Sequence, residues 1–216
     1  MSVSFQIPKV YPITDRKISG LSHLKQVEQL KLGGASFIQI REKSGSSHEF
    51  YEAIRESLSA CPDVMIIVND RVDIALVTKA RGVHLGQDDL PPKEARKLLG
   101  DDAIIGYSTH TLEQVREGVT LPIDYVAFGP VFVTATKPDH DPIVGLESLK
   151  RVRDVVKGLP LVAIGGINLE NLSHVFTAGA DSAAMISALV VDPESISKNT
   201  QKAFEITKNT PMLNKL

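Results

Sequence analysis

Short apolar runs alternate with longer amphipathic stretches eight times along this chain, and this alternation constrains the fold more than any other feature. The runs have the length of strands, and the stretches carry apolar residues at helical spacing. A continuous series of strand–helix units implies parallel strands joined by right-handed crossovers. The predicted strands are Val10–Thr14, Phe37–Arg41, Val64–Asn69, Gly82–Leu85, Ala103–Ser108, Tyr125–Gly129, Leu161–Ile164 and Ser182–Ile186. The predicted helices are Leu21–Leu32, Ser47–Ala60, Val72–Lys79, Pro92–Leu99, Thr111–Gly118, Leu146–Lys157, Leu169–Ala178 and Glu194–Lys208.

At 216 residues, the economical closure of such a series is an α/β fold of the (β/α)₈ TIM-barrel type, on the small side for that fold. An open doubly wound sheet is the alternative. It would more often place a glycine-rich loop directly after the first strand, where this chain has Thr14–Lys17. No linker divides the chain, so we expect a single domain over residues 1–216, with a core of about 10–208 and a frayed tail at 209–216.

The net charge limits the classes of partner that the protein could bind, and the cysteine content indicates its compartment. With 24 basic and 26 acidic residues the net charge is −2, which gives no electrostatic case for nucleic acid or an anionic membrane. The single cysteine, Cys61, cannot form an intramolecular disulfide, and this suits a reducing compartment. The segment Met1–Pro8 has no long apolar run, and no apolar run approaches a membrane span. We therefore expect a cytoplasmic protein with small-molecule partners.

The ends of the predicted strands are unusually polar, and barrel enzymes place their chemistry at these ends. Convergence of most of these groups on one face would form a polar site. The strand exits carry Thr14-Asp15, Gln39/Arg41/Lys43, Asn69-Asp70-Arg71, Gln87-Asp88-Asp89, Ser108-Thr109-His110, Thr134/Thr136/Lys137, Gly165-Gly166 and Ser187.

One cationic group comes from the second strand. Gln39, Arg41 and Lys43 alternate with other residues, so their side chains point the same way. Cations that face a barrel interior are costly unless an anion meets them. Two interpretations stay open: an internal salt bridge with Arg41 held by Asp70, or a diphosphate clamp in which the Gln39 amide contacts a heterocycle edge.

Two further exits suit phosphate groups. Thr134, Thr136 and Lys137 offer two hydroxyls and a cation after an apolar strand, which suits phosphate or diphosphate. Gly165-Gly166 and Ser187 follow the seventh and eighth strands, where barrels often bind phosphate through backbone N–H groups. A tight turn with no ligand is the alternative for the glycine pair. Two anion sites would serve two phosphorylated substrates.

Acidic residues at neighbouring exits could hold a metal ion. Asp70 could cap the next helix, or it could join Asp89 in a Mg²⁺ site, because Mg²⁺ takes hard oxygens and one or two protein carboxylates. Asp88 could substitute for Asp89, and spacing does not choose between them.

The histidines and the motifs argue against several enzyme classes. His84 lies within a strand, where we expect it to be packed and hydrogen-bonded rather than catalytic, and His110 follows Ser108 near the predicted site. The sequence has no zinc-ligand spacing, no G-x-S-x-G elbow and no Walker motif. Hydrolase and nucleotide-kinase hypotheses are therefore disfavoured.

The chain resembles the thiamine-phosphate synthase family from about Val10 to Leu189. The resemblance implies a TIM barrel that joins a hydroxymethylpyrimidine diphosphate to a thiazole phosphate and releases diphosphate. It rests on Tyr11–Asp15, Gln39–Lys43, Val68–Val72, Gly82–Asp89, Ile105–His110, Gly129–Lys137, Ala163–Ile167, Gly179–Asp181 and Met185–Ser187.

The resemblance also implies roles for single residues. Pyrimidine diphosphate would bind Gln39, Arg41, Lys43 and Asn69, with Ser108 and Lys137 on its diphosphate. Mg²⁺ would bind Asp70 and Asp89. Thiazole phosphate would bind Thr134, Thr136, Gly166, Ile186 and Ser187. The catalytic set would be Arg41, Lys43, Lys137 and Ser108.

The chemistry of that reaction agrees with these residues. Diphosphate is a leaving group whose negative charge Mg²⁺ and the cations Arg41, Lys43 and Lys137 would neutralise. An electron-rich aminopyrimidine can stabilise a carbon cation, which favours a dissociative step. The thiazole nitrogen is then the nucleophile, and no strong protein base is needed.

Three alternatives stay open at this point: a thiazole tautomerase-like isomerase, another phosphate-binding barrel enzyme such as an epimerase, and a non-catalytic binding protein. The isomerase would need a proton-transfer group and no diphosphate clamp. The loop Pro138–Pro142 follows Lys137 and is the expected lid over the substrates. A homo-oligomer is compatible with the sequence.

Overall fold

The computed structural model describes residues 6–134, 142–208 and 210. Eight parallel strands close into a barrel in chain order, with β8 next to β1. The predicted TIM barrel is therefore confirmed, and the open sheet is wrong. The strands are β1 Val10–Asp15, β2 Phe37–Arg41, β3 Met65–Asn69, β4 Gly82–Leu85, β5 Ile104–Thr109, β6 Tyr125–Phe128, β7 Leu161–Ile164 and β8 Ser182–Met185.

Helices cover the outside of the barrel. In the described residues they are α1 Arg16–Ser19, α2 His23–Leu32, α3 Ser47–Ala60, α4 Val72–Thr78, α5 Pro92–Leu99, α6 Leu112–Gly118, α7 Gly145–Val156, α8 Leu172–Thr177, α9 Ser187–Val190 and α10 Ile196–Lys208. None of them is long and apolar enough to span a membrane. Of the predicted tail at 209–216, the structure describes only Thr210.

Local hydrogen bonds explain why some boundaries differ from the prediction. The predicted start at Leu21 is wrong because Ser22 caps α2, with its hydroxyl accepting from Lys25 N at 3.3 Å. The unpredicted helix α1 forms because the Asp15 side chain accepts from the N–H groups of Lys17 and Ile18 at 3.0 and 3.2 Å. A short 3₁₀ turn over Pro193–Ser195 precedes α10, which therefore begins at Ile196 and not at Glu194.

The barrel interior has an aromatic floor beneath its polar exits. Tyr11, Phe37 and Tyr125 are buried together inside the barrel, apart from the larger apolar core between strands and helices. Gly106 makes room for one of these rings, because a Cβ there would lie 2.0 Å from Cζ of Tyr125. These rings fill the barrel interior below the carboxyl ends of the strands, so the described interior is a packed core.

Two arginine–aspartate pairs fasten the opposite end of the barrel, where the strands begin. Arg96 of α5 donates to Asp124 at 2.7 Å, and that carboxylate accepts from the N–H of β5 at Ile105. Arg153 of α7 donates to Asp181 at 2.7 Å, and Asp181 accepts from the N–H of Leu161 in β7 at 2.9 Å. In both pairs the partners are 28 residues apart.

Candidate active site

A cavity of about 420 Å³ opens at the carboxyl ends of the strands. Every predicted site residue that the structure describes lines it, although these residues come from most of the strand exits. They are Gln39, Arg41, Lys43, Asn69, Asp70, Asp89, Ser108, Thr134, Gly166, Ile186 and Ser187. Thr136, Lys137 and residues 138–141 of the expected lid lie outside the described residues. The polar exits therefore converge on one face, as predicted.

The cations of β2 and of the loop after it each meet a carboxylate. Arg41 pairs with Asp15, and both side chains are largely buried. Lys43 donates to Asp70 at 2.5 Å, with about half of the lysine side chain exposed. The expected alternative, a salt bridge between Arg41 and Asp70, is wrong because Asp15 pairs with Arg41 in the β1–β2 register and Asp70 is engaged by Lys43.

The loop after Lys43 is anchored by a carboxylate to which the sequence interpretation gave no role. Glu42 accepts from Ser44 N at 2.8 Å and Gly45 N at 3.1 Å, and it also accepts from Arg16 Nε at 2.5 Å. These bonds outweigh the effect of burial and lower the pKa of Glu42 to about 2. The anchored turn fixes the backbone next to Lys43.

The two predicted metal ligands interact at the cavity edge. Asp70 does not cap α4: its backbone is left-handed (φ 61°), and the residue at the cap position is Arg71 without a side-chain cap bond. Asp89 accepts from Gly86 N at 2.6 Å. Burial raises the pKa of Asp89, and the charge and hydrogen bond of Asp70 raise it further. Two carboxylates that repel each other in one cavity form a donor set that a hard divalent cation would relieve.

Asn69 has an amide nitrogen, Nδ2, that is buried and has no hydrogen-bond partner among the residues that the structure describes. A buried donor without a partner costs free energy, and native proteins satisfy nearly all such groups. Asn69 lines the cavity, so an acceptor on a bound ligand would supply the missing bond.

His84 contributes to the cavity wall and is packed and hydrogen-bonded, as predicted. Its Nδ1 lies 2.9 Å from the Tyr125 hydroxyl, and its Nε2 lies 2.8 Å from Ser108 Oγ. Its ring stacks on Tyr125 with centroids 5.5 Å apart. Burial lowers the pKa of His84 to about 4, although the Asp70 charge opposes this shift. The imidazole is therefore neutral at physiological pH.

The other half of the cavity is shaped by backbone. Gly165 and Gly166 both have positive φ, 97° and 65°. A Cβ on Gly166 would lie 2.3 Å from Val133 O, so this position requires glycine. Asn171 Nδ2 donates to Gly166 O at 3.0 Å and holds the turn. Gly166 and Ser187 also line an adjoining cavity of about 290 Å³, so this half of the site has room for a second anion.

The cavity also has apolar walls. They include Ile13, Ile164, Ala184 and Ile186. Apolar walls in a cavity that also has charged side chains and a glycine turn suit ring systems that carry phosphate.

Comparisons with known proteins agree with this geometry. The family model described as thiamine monophosphate synthase matches residues 10–189. A thiamine-phosphate synthase of Syntrophomonas wolfei is 48% identical over 184 residues, which are 84% of this chain and 88% of the relative. That of Koribacter versatilis is 41% identical over 201 residues, 89% and 94% of the two chains. The solved thiamine phosphate pyrophosphorylase of Pyrococcus furiosus superimposes with a TM-score of 0.84 at 35% identity, over 94% of this chain and 96% of that one.

Proposed function

Because the chain belongs to the thiamine monophosphate synthase family, we propose how its own residues carry out the family's reaction. The chain is a transferase of thiamine biosynthesis. It condenses 4-amino-2-methyl-5-hydroxymethylpyrimidine diphosphate with a thiazole phosphate, giving thiamine phosphate and diphosphate. One observation supports the assignment of roles: the cations Arg41 and Lys43 and the turn Gly165-Gly166 line the same cavity.

We assign the pyrimidine diphosphate to the charged half. The Gln39 amide and the unpaired Asn69 Nδ2 would hold the pyrimidine end. Arg41 and Lys43 would bind the diphosphate, exchanging part of their contact with Asp15 and Asp70 for the ligand's oxygens. These cations face negative charge that grows as the leaving group departs, so they stabilise the transition state more than the bound substrate.

We assign Mg²⁺ to Asp70 and Asp89. The donor set fits, because the negative charge of Asp70 raises the pKa of Asp89 and a cation would remove this repulsion. Asp88 also lines the cavity but is exposed, so Asp89 is the better ligand. When bound, Mg²⁺ would supply charge neutralisation at the diphosphate.

We assign the thiazole phosphate to the half built by Thr134, Gly166, Ile186 and Ser187. The apolar walls hold the two rings against each other, and fixed orientation contributes much of the rate. A neutral His84 agrees with a reaction in which the thiazole nitrogen attacks and no protein base removes a proton.

The test is product formation by the purified chain from both substrates, with Mg²⁺ and with a chelator. Thiamine phosphate that forms only with Mg²⁺ supports the metal assignment, and equal turnover with the chelator would contradict it. The double variant Asp70→Asn with Asp89→Asn should lose both activity and the Mg²⁺ response. Asp63→Asn, an exposed carboxylate paired with Lys31, is the matched control.

Lys137 and Thr136 are proposed from the sequence resemblance as further diphosphate and thiazole phosphate ligands. Lys137→Ala should abolish turnover while the fold is kept, and full activity would remove Lys137 from the clamp.

We also propose that the chain acts in the cytoplasm, because its single cysteine fits a reducing compartment. Light scattering after size exclusion tests the expected homo-oligomer.

A further inference from the structure

A chain of hydrogen bonds crosses the barrel core and joins two separate parts of the cavity wall. Gln39 Nε2 lies 2.9 Å from the Tyr11 hydroxyl, which lies 2.9 Å from the Tyr125 hydroxyl. The chain continues over 2.9 Å to His84 Nδ1 and over 2.8 Å from His84 Nε2 to Ser108 Oγ. Gln39, Tyr11, Tyr125 and His84 are buried, and Gln39, His84 and Ser108 contribute to the cavity wall.

The series of hydrogen bonds can run in one direction throughout, because each of its hydroxyl groups has one proton to donate. In the order in which every bond runs the same way, the Gln39 amide nitrogen donates to Tyr11 and Tyr11 donates onward to Tyr125. Tyr125 then donates to His84 Nδ1, and this order places the imidazole proton on Nε2. His84 then donates to Ser108 Oγ, and the Ser108 hydroxyl proton is left to point into the cavity.

The geometry points to Tyr11, Tyr125 and His84 as positioning residues that aim the Ser108 hydroxyl proton at the diphosphate when Gln39 holds the pyrimidine. This inference rests on the proposed function. The amide oxygen of Gln39 is an acceptor, and the amino group of the pyrimidine is a donor. When they pair, the amide nitrogen stays on Tyr11, and the same polarity presents a donor to the anionic leaving group.

If the hydrogen bonds ran in the opposite direction, neither end of the series would offer the substrate the group that it needs. If the Gln39 amide oxygen faced Tyr11, each bond would invert, and Ser108 would donate to His84 and present only lone pairs to the diphosphate. The burial of these groups makes the order persistent, because water cannot replace a missing partner. Binding of the pyrimidine is thus linked to the donor that assists departure of the leaving group.

A double-mutant cycle between Tyr11→Phe and Ser108→Ala separates this role from simple packing. Phe keeps the ring and removes the hydroxyl that transmits the order. We expect Ser108→Ala to lower kcat about 100-fold in the native chain but only about tenfold in the Tyr11→Phe background, because Ser108 is no longer aimed. Equal losses in both backgrounds, with the native chain active, would overturn the inference. An inactive native chain would instead overturn the proposed function.

The tautomer of His84 provides a readout that does not depend on activity. In ¹⁵N-histidine NMR spectra we expect a neutral ring protonated at Nε2, and protonation at Nδ1 would overturn the inference. Substitution His84→Gln assigns the signal and, since the Gln amide nitrogen can replace Nε2, should retain more kcat than His84→Asn. Tyr51→Phe on α3, outside the barrel, is the matched control and should change neither kcat nor the spectrum.

Discussion

Ion pairs between a cation and an aspartate occur at both ends of the barrel, but their surroundings differ. At the opposite end from the cavity, Arg153 donates to Asp181 and also to three backbone carbonyl oxygens. At the cavity, Arg41 donates to Asp15, its one recorded partner among the described residues, and it lines open space. A guanidinium has five N–H donors, so Arg41 can still bind a ligand, whereas both terminal nitrogens of Arg153 are engaged. The same pair of residue types therefore leaves N–H donors available to a ligand at one end and is engaged with the backbone at the other.

The largest effect that this comparison predicts is on catalysis by Arg41→Met. Turnover should fall about 100- to 1,000-fold, because the diphosphate loses a charged donor. Stability should fall modestly, because Asp15 is left buried without its cation but keeps two backbone N–H bonds at the start of α1. Steady-state kinetics and circular dichroism measure the two effects. Lys25→Met, which removes an exposed cation paired with Glu28, is the control. Normal turnover in Arg41→Met would show that the clamp lies elsewhere.

The backbone half of the cavity should be damaged by one added methyl group. Gly166→Ala places a Cβ 2.3 Å from Val133 O at a positive φ. We expect kcat/KM for the thiazole phosphate to fall about 100-fold, because a substrate displaced by about 1 Å reacts that much more slowly. Binding of the pyrimidine diphosphate should be retained. Kinetics and calorimetry measure these quantities. Gly158→Ala is the control, because a Cβ there would have no atom within 4 Å among the described residues other than its chain neighbours. A loss of affinity for both substrates would argue against two separate halves.

At the other end, Arg153→Met should act on stability alone. It leaves the Asp181 carboxylate buried beside the Leu161 N–H without its cation, so the free energy of unfolding should fall by about 3 kcal/mol. Denaturant titration measures this loss, and activity per folded molecule should be unchanged. As the control, Arg55→Met removes an exposed ion pair with Glu52 on α3 and should leave the midpoint of the denaturant titration unchanged. A catalytic defect in the folded Arg153 variant would contradict the assignment of that end of the barrel to stability alone.

The smallest expected effect is a gain in stability from Asp89→Asn. Burial and Asp70 raise the pKa of Asp89, so the folded chain disfavours its carboxylate, and this cost is present at neutral pH and vanishes as acid protonates the group. We expect the variant to gain less than about 1 kcal/mol at neutral pH, because the group is partly solvated. Thermal unfolding should show this gain shrink on acidification. Mg²⁺ should stabilise the native chain but not the variant, and an equal response would remove Asp89 as a ligand.

The strands could be predicted from sequence because their signal is local. Each run from Val10 to Met185 is apolar and bounded by turn residues, and all eight fall within a few positions of the observed strands. The lining of the site followed from topology, since parallel strands bring their carboxyl ends to one face. The roles of the site residues stay predictions, and Thr136 and Lys137 also lie outside the described part of the chain.

What sequence reasoning missed depends on contacts between distant residues. Tyr11 and Tyr125 touch across 114 residues, and no local pattern relates one tyrosine to the other. The partner of Arg41 depended on register, because Asp15 and Arg41 are neighbours only once β1 and β2 are paired. The predicted helix start at Leu169 is wrong for a local reason. The side chains of Asn168 and Asn171 form a turn, so α8 begins only at Leu172.

The two arginine–aspartate pairs have a consequence for how the gene could have been assembled. Each pair ties a helix to the strand of the second following unit, and each spans 28 residues, so the second half of the barrel consists of two modules with the same internal fastening. Tandem duplication would produce this arrangement. New chain termini should be tolerated between the modules, in the connection from β6 to α7, and resisted inside either one. That connection also carries Thr134 of the site, so a circular permutant opened there should fold as a barrel and lose its enzyme activity.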